Sequence, residues 1–106
     1  MVTDIEKALA NGIAPWKEIE YRCKDFWIFS DTENAPAKGY LCFVPTFCNS
    51  RCLSETYQAA YKWGYDGIVS GKWEGFNIVQ SVGVVAGQNI EYPYIHMLPR
   101  RRGDLE

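Results

Sequence analysis

GVVAGQNIEYPYIHMLPRRRGD, Gly83 to Asp104, alternates in its second half. Ile90, Tyr92, Tyr94, His96 and Leu98 fall at every second position, and in an extended strand such residues point to the same face. The spacing predicts a strand over Asn89 to Leu98 with two phenols and an imidazole along one side. The residues before it, Val84-Val85-Ala86-Gly87-Gln88, read as a small-residue connection, and Pro99 with Arg100, Arg101 and Arg102 follows it. His96 is the only histidine of the chain.

Upstream, Phe76 to Val82 is a further strand candidate. Leu53, Tyr57, Ala60, Gly64 and Ile68 recur at steps of four, three, four and four. That period predicts an amphipathic helix from about Leu53 to Val69, its later turns weakened by Gly64, Gly67 and Gly71. Tyr40 to Val44 (YLCFV) reads as a strand stopped by Pro45, and Asp25 to Ser30 (DFWIFS) as another, both rich in aromatic and apolar residues. Between them DTENAPAKG, Asp31 to Gly39, is turn chemistry. At the start, Thr3 with Glu6 three residues on, and Gly12 beyond, marks a short helix over Thr3 to Ala10. Strands, one long helix and strands again predict an α+β domain on a mainly antiparallel sheet.

The 106 residues suffice for one hydrophobic core and predict a single domain, 1–106. Hydrophobic residues at 47% and charged residues at 23% argue against disorder. Aromatics reach 15%, which in a small domain fill the core or face a partner. A net charge of −2 provides no general attraction to nucleic acid, so any anion site is local. No apolar run approaches the roughly 18 residues of a membrane helix, and the acidic start MVTDIEKALANG is unlike a signal peptide. The expectation is a cytoplasmic protein in which Cys23, Cys42, Cys48 and Cys52 are free thiols. Cys48 and Cys52, with three residues between them and no nearby histidine, make a poor zinc half-site; no metal is expected.

The stretch from Gly83 to Asp104 resembles the signature of the histidine-triad (HIT) family of nucleotide-binding proteins. In that signature a glycine and then Ala-Gly-Gln precede three histidines at alternate positions, followed by a hydrophobic pair, Pro-Arg and often Gly-Asp. Gly83, Ala86, Gly87, Gln88, Ile90, His96, Pro99, Arg100, Gly103 and Asp104 are in register with it. DTENAPAKGYLCFVP resembles the family's Asp/Asn turn, Pro, Gly-His and apolar strand, and Phe76-Asn77-Ile78 the strand leading into the glycine. The likeness runs from about Asp25 to Asp104. Together with the periodicity it implies the HIT fold, a mainly antiparallel sheet of about five strands with one long helix and a short N-terminal helix. It further implies a homodimer joined through the long helix and an edge strand, and hydrolase or transferase chemistry on a nucleotide. It implies no cofactor. The implied ligand is a purine nucleotide or dinucleoside polyphosphate, with Asp31, Tyr40, Ser81, Gly87, Gln88 and Arg100 as candidate contacts.

The departures bear on the chemistry. The three triad positions read Tyr92, Tyr94 and His96, and the upstream Gly-His is Gly39-Tyr40. The resemblance implies that the middle position, Tyr94, is where the family's nucleophile attacks the α-phosphorus. Imidazole is largely neutral and nucleophilic near pH 7. A phenol with a pKa of about 10 is only ~0.1% ionised there, a penalty of roughly 4 kcal/mol, and an aryl phosphodiester releases its phosphoryl group far less readily than a phosphoramidate. Three readings follow. The chain is a nucleotide-binding protein with lost or much reduced turnover; or it is a hydrolase of dinucleoside polyphosphates or nucleoside phosphoramidates that keeps activity through Tyr94, His96 or a metal, with Tyr92 beside them; or it is a non-catalytic interaction module, its pocket filled by tyrosines and its aromatics serving a dimer face. Taken alone, Arg100 to Arg102 read as a solvated tail. Gln88 carries over most readily as a phosphate donor, because an amide donates without titrating.

Overall fold

The computed structural model describes residues 2–30 and 40–104. The turn predicted over Asp31 to Gly39, including the candidate Asp31, lies outside the described residues. Helix α1 (Asp4–Ala10) begins with a capping box: the Thr3 hydroxyl accepts from the Glu6 backbone N–H, and the Glu6 carboxylate accepts from the Thr3 backbone N–H. Strands β1 (Ile19–Arg22), β2 (Phe26–Phe29) and β3 (Leu41–Pro45) follow, then helix α2 (Ser50–Val69), strand β4 (Gly75–Val79), a single 3₁₀ turn (Val84–Ala86) and strand β5 (Ile95–Arg100). The strands form one sheet in the order β1-β2-β3-β5-β4, every pairing antiparallel. The expected α+β architecture, with its five strands, long helix and short first helix, is borne out.

Alternation along the strands supplies both faces of the sheet. Ile28, Phe43, Ile95 and Met97 point to one side and are buried under α2 with Ala59 and Ala60. Trp27, Phe29, Cys42 and Val44 point to the other, where Ile5 and Ala8 of α1 pack with Trp16 and Tyr92. No helix among the described residues is long and apolar enough to cross a membrane, and the four cysteines are free.

Three expectations need correction. The last strand starts at Ile95, not Asn89. Pro93 has no N–H to give a ladder, and the Gln88 side chain takes the Ile90 carbonyl (2.7 Å). The side chains of Ile90, Tyr92 and Tyr94 nevertheless pack on the α1 side, so the shared face survives without the strand. Helix α2 begins three residues before Leu53, because Asn49 caps it by accepting from the Cys52 N–H at 2.8 Å. Its buried row is Cys52, Thr56, Ala59, Ala60, Gly64 and Gly67, about one position round from the predicted stripe, and Tyr57 faces outward. Small residues win that face because the helix lies close to the sheet, with the Phe76 and Trp73 rings over its glycines. Strand β1 carried no legible signal: all four of its residues are exposed at the sheet edge, and the Arg22 guanidinium stacks over Trp27.

Candidate functional site

Tyr40 precedes β3 and His96 is the second residue of β5; the register between these strands sets Cys42 opposite His96. Directly opposed residues of an antiparallel pair share a face, so Tyr40, two positions before Cys42, reaches toward the imidazole. Its hydroxyl is hydrogen-bonded to His96 Nδ1, with ring centroids 5.1 Å apart. Tyr94 meets the same imidazole edge-to-face at 4.8 Å and 81°. The Tyr94 hydroxyl does not reach for His96: it donates to Asn89 Oδ1 at 2.8 Å, while Trp16 packs edge-on against its ring at 5.4 Å.

Tyr92 has another function in the fold. It is buried, and its hydroxyl donates to the Pro45 carbonyl at 2.7 Å and lies 3.2 Å from that of Thr46. The first alternating tyrosine thus ties the irregular segment before β5 to the end of β3. Gln88 is likewise turned inward. Its Oε1 accepts from the Gly83 N–H at 2.8 Å, and its Nε2 donates to the Ile90 carbonyl. With the Gln88 N–H bonded to the Gly83 carbonyl, this closes a tight loop whose Gly83 and Gly87 both take positive φ, 91° and 95°, a region open chiefly to glycine. Ser81 is half-buried at the base of that loop, near Gly87. Arg100 shares a sheet face with His96 but stands four residues along β5, its Nε donating to Asn77 at 2.8 Å. Arg101 and Arg102 turn to the Lys72 carbonyl and to Glu74.

The structure therefore brings together Tyr40, Tyr94 and His96, directs Tyr92 into the core beside them, and holds Gln88 in its own loop. Sequence reading missed Asn89 and Trp16, which orient Tyr94. Asn89 lay inside the predicted strand, where a side-chain acceptor has no special meaning, and Trp16 sits in a segment, after Pro15, with no periodicity. Burial governs the protonation chemistry. It raises the pKa of Tyr94, with Cys42 adding to the effect, and raises that of Tyr92 far more. It lowers that of His96, because desolvation disfavours each charged form. At neutral pH Tyr94 is therefore a neutral phenol beside a neutral imidazole. Among the described residues, no three His, Cys, Asp or Glu side chains gather as a metal site.

No family profile matches the chain. It is 30% identical to an uncharacterized HIT-like protein of Methanocaldococcus jannaschii, over 92% of this chain and 79% of that one. The chain belongs to the histidine-triad family. The fold of solved histidine-triad proteins agrees. A Zn-bound member from Mycobacterium smegmatis superposes with a TM-score of 0.76 at 19% identity, over 94% of this chain and 76% of that one. A Hit-like protein involved in cell-cycle regulation from Bartonella henselae gives 0.74 at 18%, over 95% and 81%. A hypothetical histidine triad nucleotide-binding protein from Sulfolobus tokodaii gives 0.69 at 21%, over 92% and 68%. This histidine-triad chain thus carries, at the β3–β5 junction, one imidazole between two phenols.

Proposed function

We propose that this is a single-domain, cytoplasmic nucleotide-binding protein of the histidine-triad family whose hydrolase or transferase turnover is lost or much reduced. The observation that carries the reading is the state of Tyr94, the residue in the nucleophile's register. Its hydroxyl is committed to Asn89 and burial makes it harder to ionise than a free phenol. No base activates it: the one imidazole nearby is bonded to Tyr40 instead, whereas an oxygen nucleophile needs a base within hydrogen-bond reach. Tyrosine keeps donors and a stacking surface where alanine would keep neither. Tyr40, Tyr94 and His96 are the candidates for phosphate or ribose contact, with Gln88 acting by shaping its loop; Asp31, Ser81 and Arg100 are candidate contacts on the family resemblance alone.

The test is a panel of adenine and guanine nucleotides and dinucleoside polyphosphates, read by thermal unfolding and by product formation. Ligand at tenfold its Kd stabilises by roughly 1.4 kcal/mol, which for a domain of this size raises Tm by several degrees. The expected result is such a shift for at least one purine nucleotide, with no product at the usual enzyme rates of ~1 to 1,000 per second. Normal turnover abolished by Tyr94→Phe would overturn the reading.

A twofold dimer is part of the proposal. Strand β4 closes the sheet order, and the adjoining helix exposes Tyr57, Tyr61 and Tyr65 at 43%, 59% and 52%. Tyr61 stacks on Tyr65 and packs edge-on against Phe76 of β4, which makes helix and edge strand one aromatic surface suited to an isologous contact. Sedimentation is expected to give a dimer at micromolar concentration, and Tyr61→Glu a monomer. A monomeric parent at high micromolar concentration would remove this part of the proposal.

A further inference from the structure

We propose that Tyr40 is a positioning residue that fixes His96 as the tautomer carrying its proton on Nε2, making the single imidazole a preset hydrogen-bond donor. This rests on the nucleotide-binding reading only for the identity of the anion that Nε2–H would meet.

Nδ1 of His96 is engaged by the Tyr40 hydroxyl, and a phenol–imidazole bond has a preferred direction. A phenol O–H is an acidic donor, and its oxygen is a poor acceptor because a lone pair is delocalised into the ring. The unprotonated nitrogen of a neutral imidazole is a strong acceptor. Tyr40 therefore donates, Nδ1 accepts, and the ring proton is left on Nε2, as the partner of one nitrogen decides the state of the other. The surroundings reinforce this. Tyr40, just before β3, and Cys42 of β3 face the imidazole, Val79 is opposite it on β4, and Tyr94 is edge-on to it. No carboxylate stands among these neighbours to favour the imidazolium, and burial lowers the His96 pKa. The other phenol beside the ring, Tyr94, has its hydroxyl turned to Asn89 and not to the imidazole. Among the described residues Nε2 has no hydrogen-bond partner, and no buried polar side-chain atom goes unsatisfied, so this nitrogen is open to an incoming acceptor. A phosphate oxygen, which only accepts, is the complementary chemistry. In this state His96 has no free lone pair with which to attack phosphorus or to take a proton from Tyr94.

Because the chain has one histidine, ¹⁵N-histidine labelling gives two ring-nitrogen signals with no overlap. Two-bond ¹H–¹⁵N correlation at pH 7 is expected to show Nε2 protonated and Nδ1 unprotonated. In Tyr40→Phe, with the backbone spectrum retained, the signals are expected to move toward an average of both tautomers. A protonated Nδ1 or an imidazolium in the parent, or an unchanged tautomer in a folded Tyr40→Phe, overturns the proposal. The parent measurement stands even if the variant does not fold. Addition of adenosine monophosphate, with adenosine as the control, separates the two ideas. An Nε2 shift with the nucleotide alone supports both. The stated tautomer with no shift from the nucleotide upholds the positioning function of Tyr40 and counts against the nucleotide reading.

Discussion

Histidine restored together at positions 40, 92 and 94 is expected to raise nucleotidyl hydrolysis by at least about 100-fold over the parent, with each single restoration staying within a few-fold. The expectation follows from two magnitudes. Replacing phenol by imidazole at position 94 removes the roughly 4 kcal/mol cost of ionising the nucleophile at pH 7. A positioned general acid or base contributes ~10²- to 10⁴-fold, and residues that act as a unit do not add singly. The geometry favours positions 40 and 94, since both side chains already meet His96. Position 92 is the costly one. A histidine there loses the Tyr92 hydroxyl that reaches the Pro45 and Thr46 carbonyls, and an orphaned buried acceptor costs ~1–3 kcal/mol. The triple variant should therefore melt several degrees lower while turning over faster, and steady-state assays belong below its transition. No gain in a folded triple variant would mean that the surrounding pocket has diverged beyond its catalytic residues, and the interaction-module reading would take first place.

How much of this was legible in the sequence depended on whether local pattern or tertiary partner decided each residue. The meeting of Tyr40 and His96 was legible through the family resemblance, whose upstream Gly-His register made Tyr40 a candidate contact at the same site as the alternating residues, and the β3–β5 register brings the two side chains together. Gln88 was not. Its position in Ala-Gly-Gln identified it as important, but an amide has both donor and acceptor, and only the folded loop reveals that both are used on Gly83 and Ile90. Tyr92 shows the same limit. Alternation placed it on the face of Tyr94 and His96, whereas its long side chain finds the end of β3, a partner 46 to 47 residues away. The α2 stripe was read from large apolar residues, as periodicity arguments usually are. In this helix the buried row is built from alanine, glycine, cysteine and threonine, which such a reading discounts.

That buried row carries a second large effect. Gly67→Ala is expected to destabilise the protein by about 1–3 kcal/mol, although alanine is ordinarily favoured over glycine in a helix by about 1 kcal/mol. A Cβ built at Gly67 falls 2.0 Å from Cε2 and Cζ2 of Trp73, so the indole would have to leave its seat. With it would go the bond from Trp73 Nε1 to the Gly64 carbonyl, 2.8 Å, worth about 1 kcal/mol, on top of the ~1–3 kcal/mol typical of overpacking. At about 4–8 °C per kcal/mol for a domain of this size, the loss is readily measured by thermal unfolding. Gly75→Ala is the control, since a Cβ there meets nothing within 4 Å. Equal stability of Gly67→Ala and the parent would show that the indole moves aside at no cost. The substitution also tests how the fold supports the site. Helix α2 covers Ile95 and Met97, the neighbours of His96 on β5, but Trp73 packs near the helix's far end, close to where Glu74 bonds the Arg100 carbonyl. Gly67→Ala should therefore lower Tm while leaving the His96 tautomer signals of the folded protein unchanged. Tyr40→Phe should do the reverse, moving those signals with a smaller loss of stability.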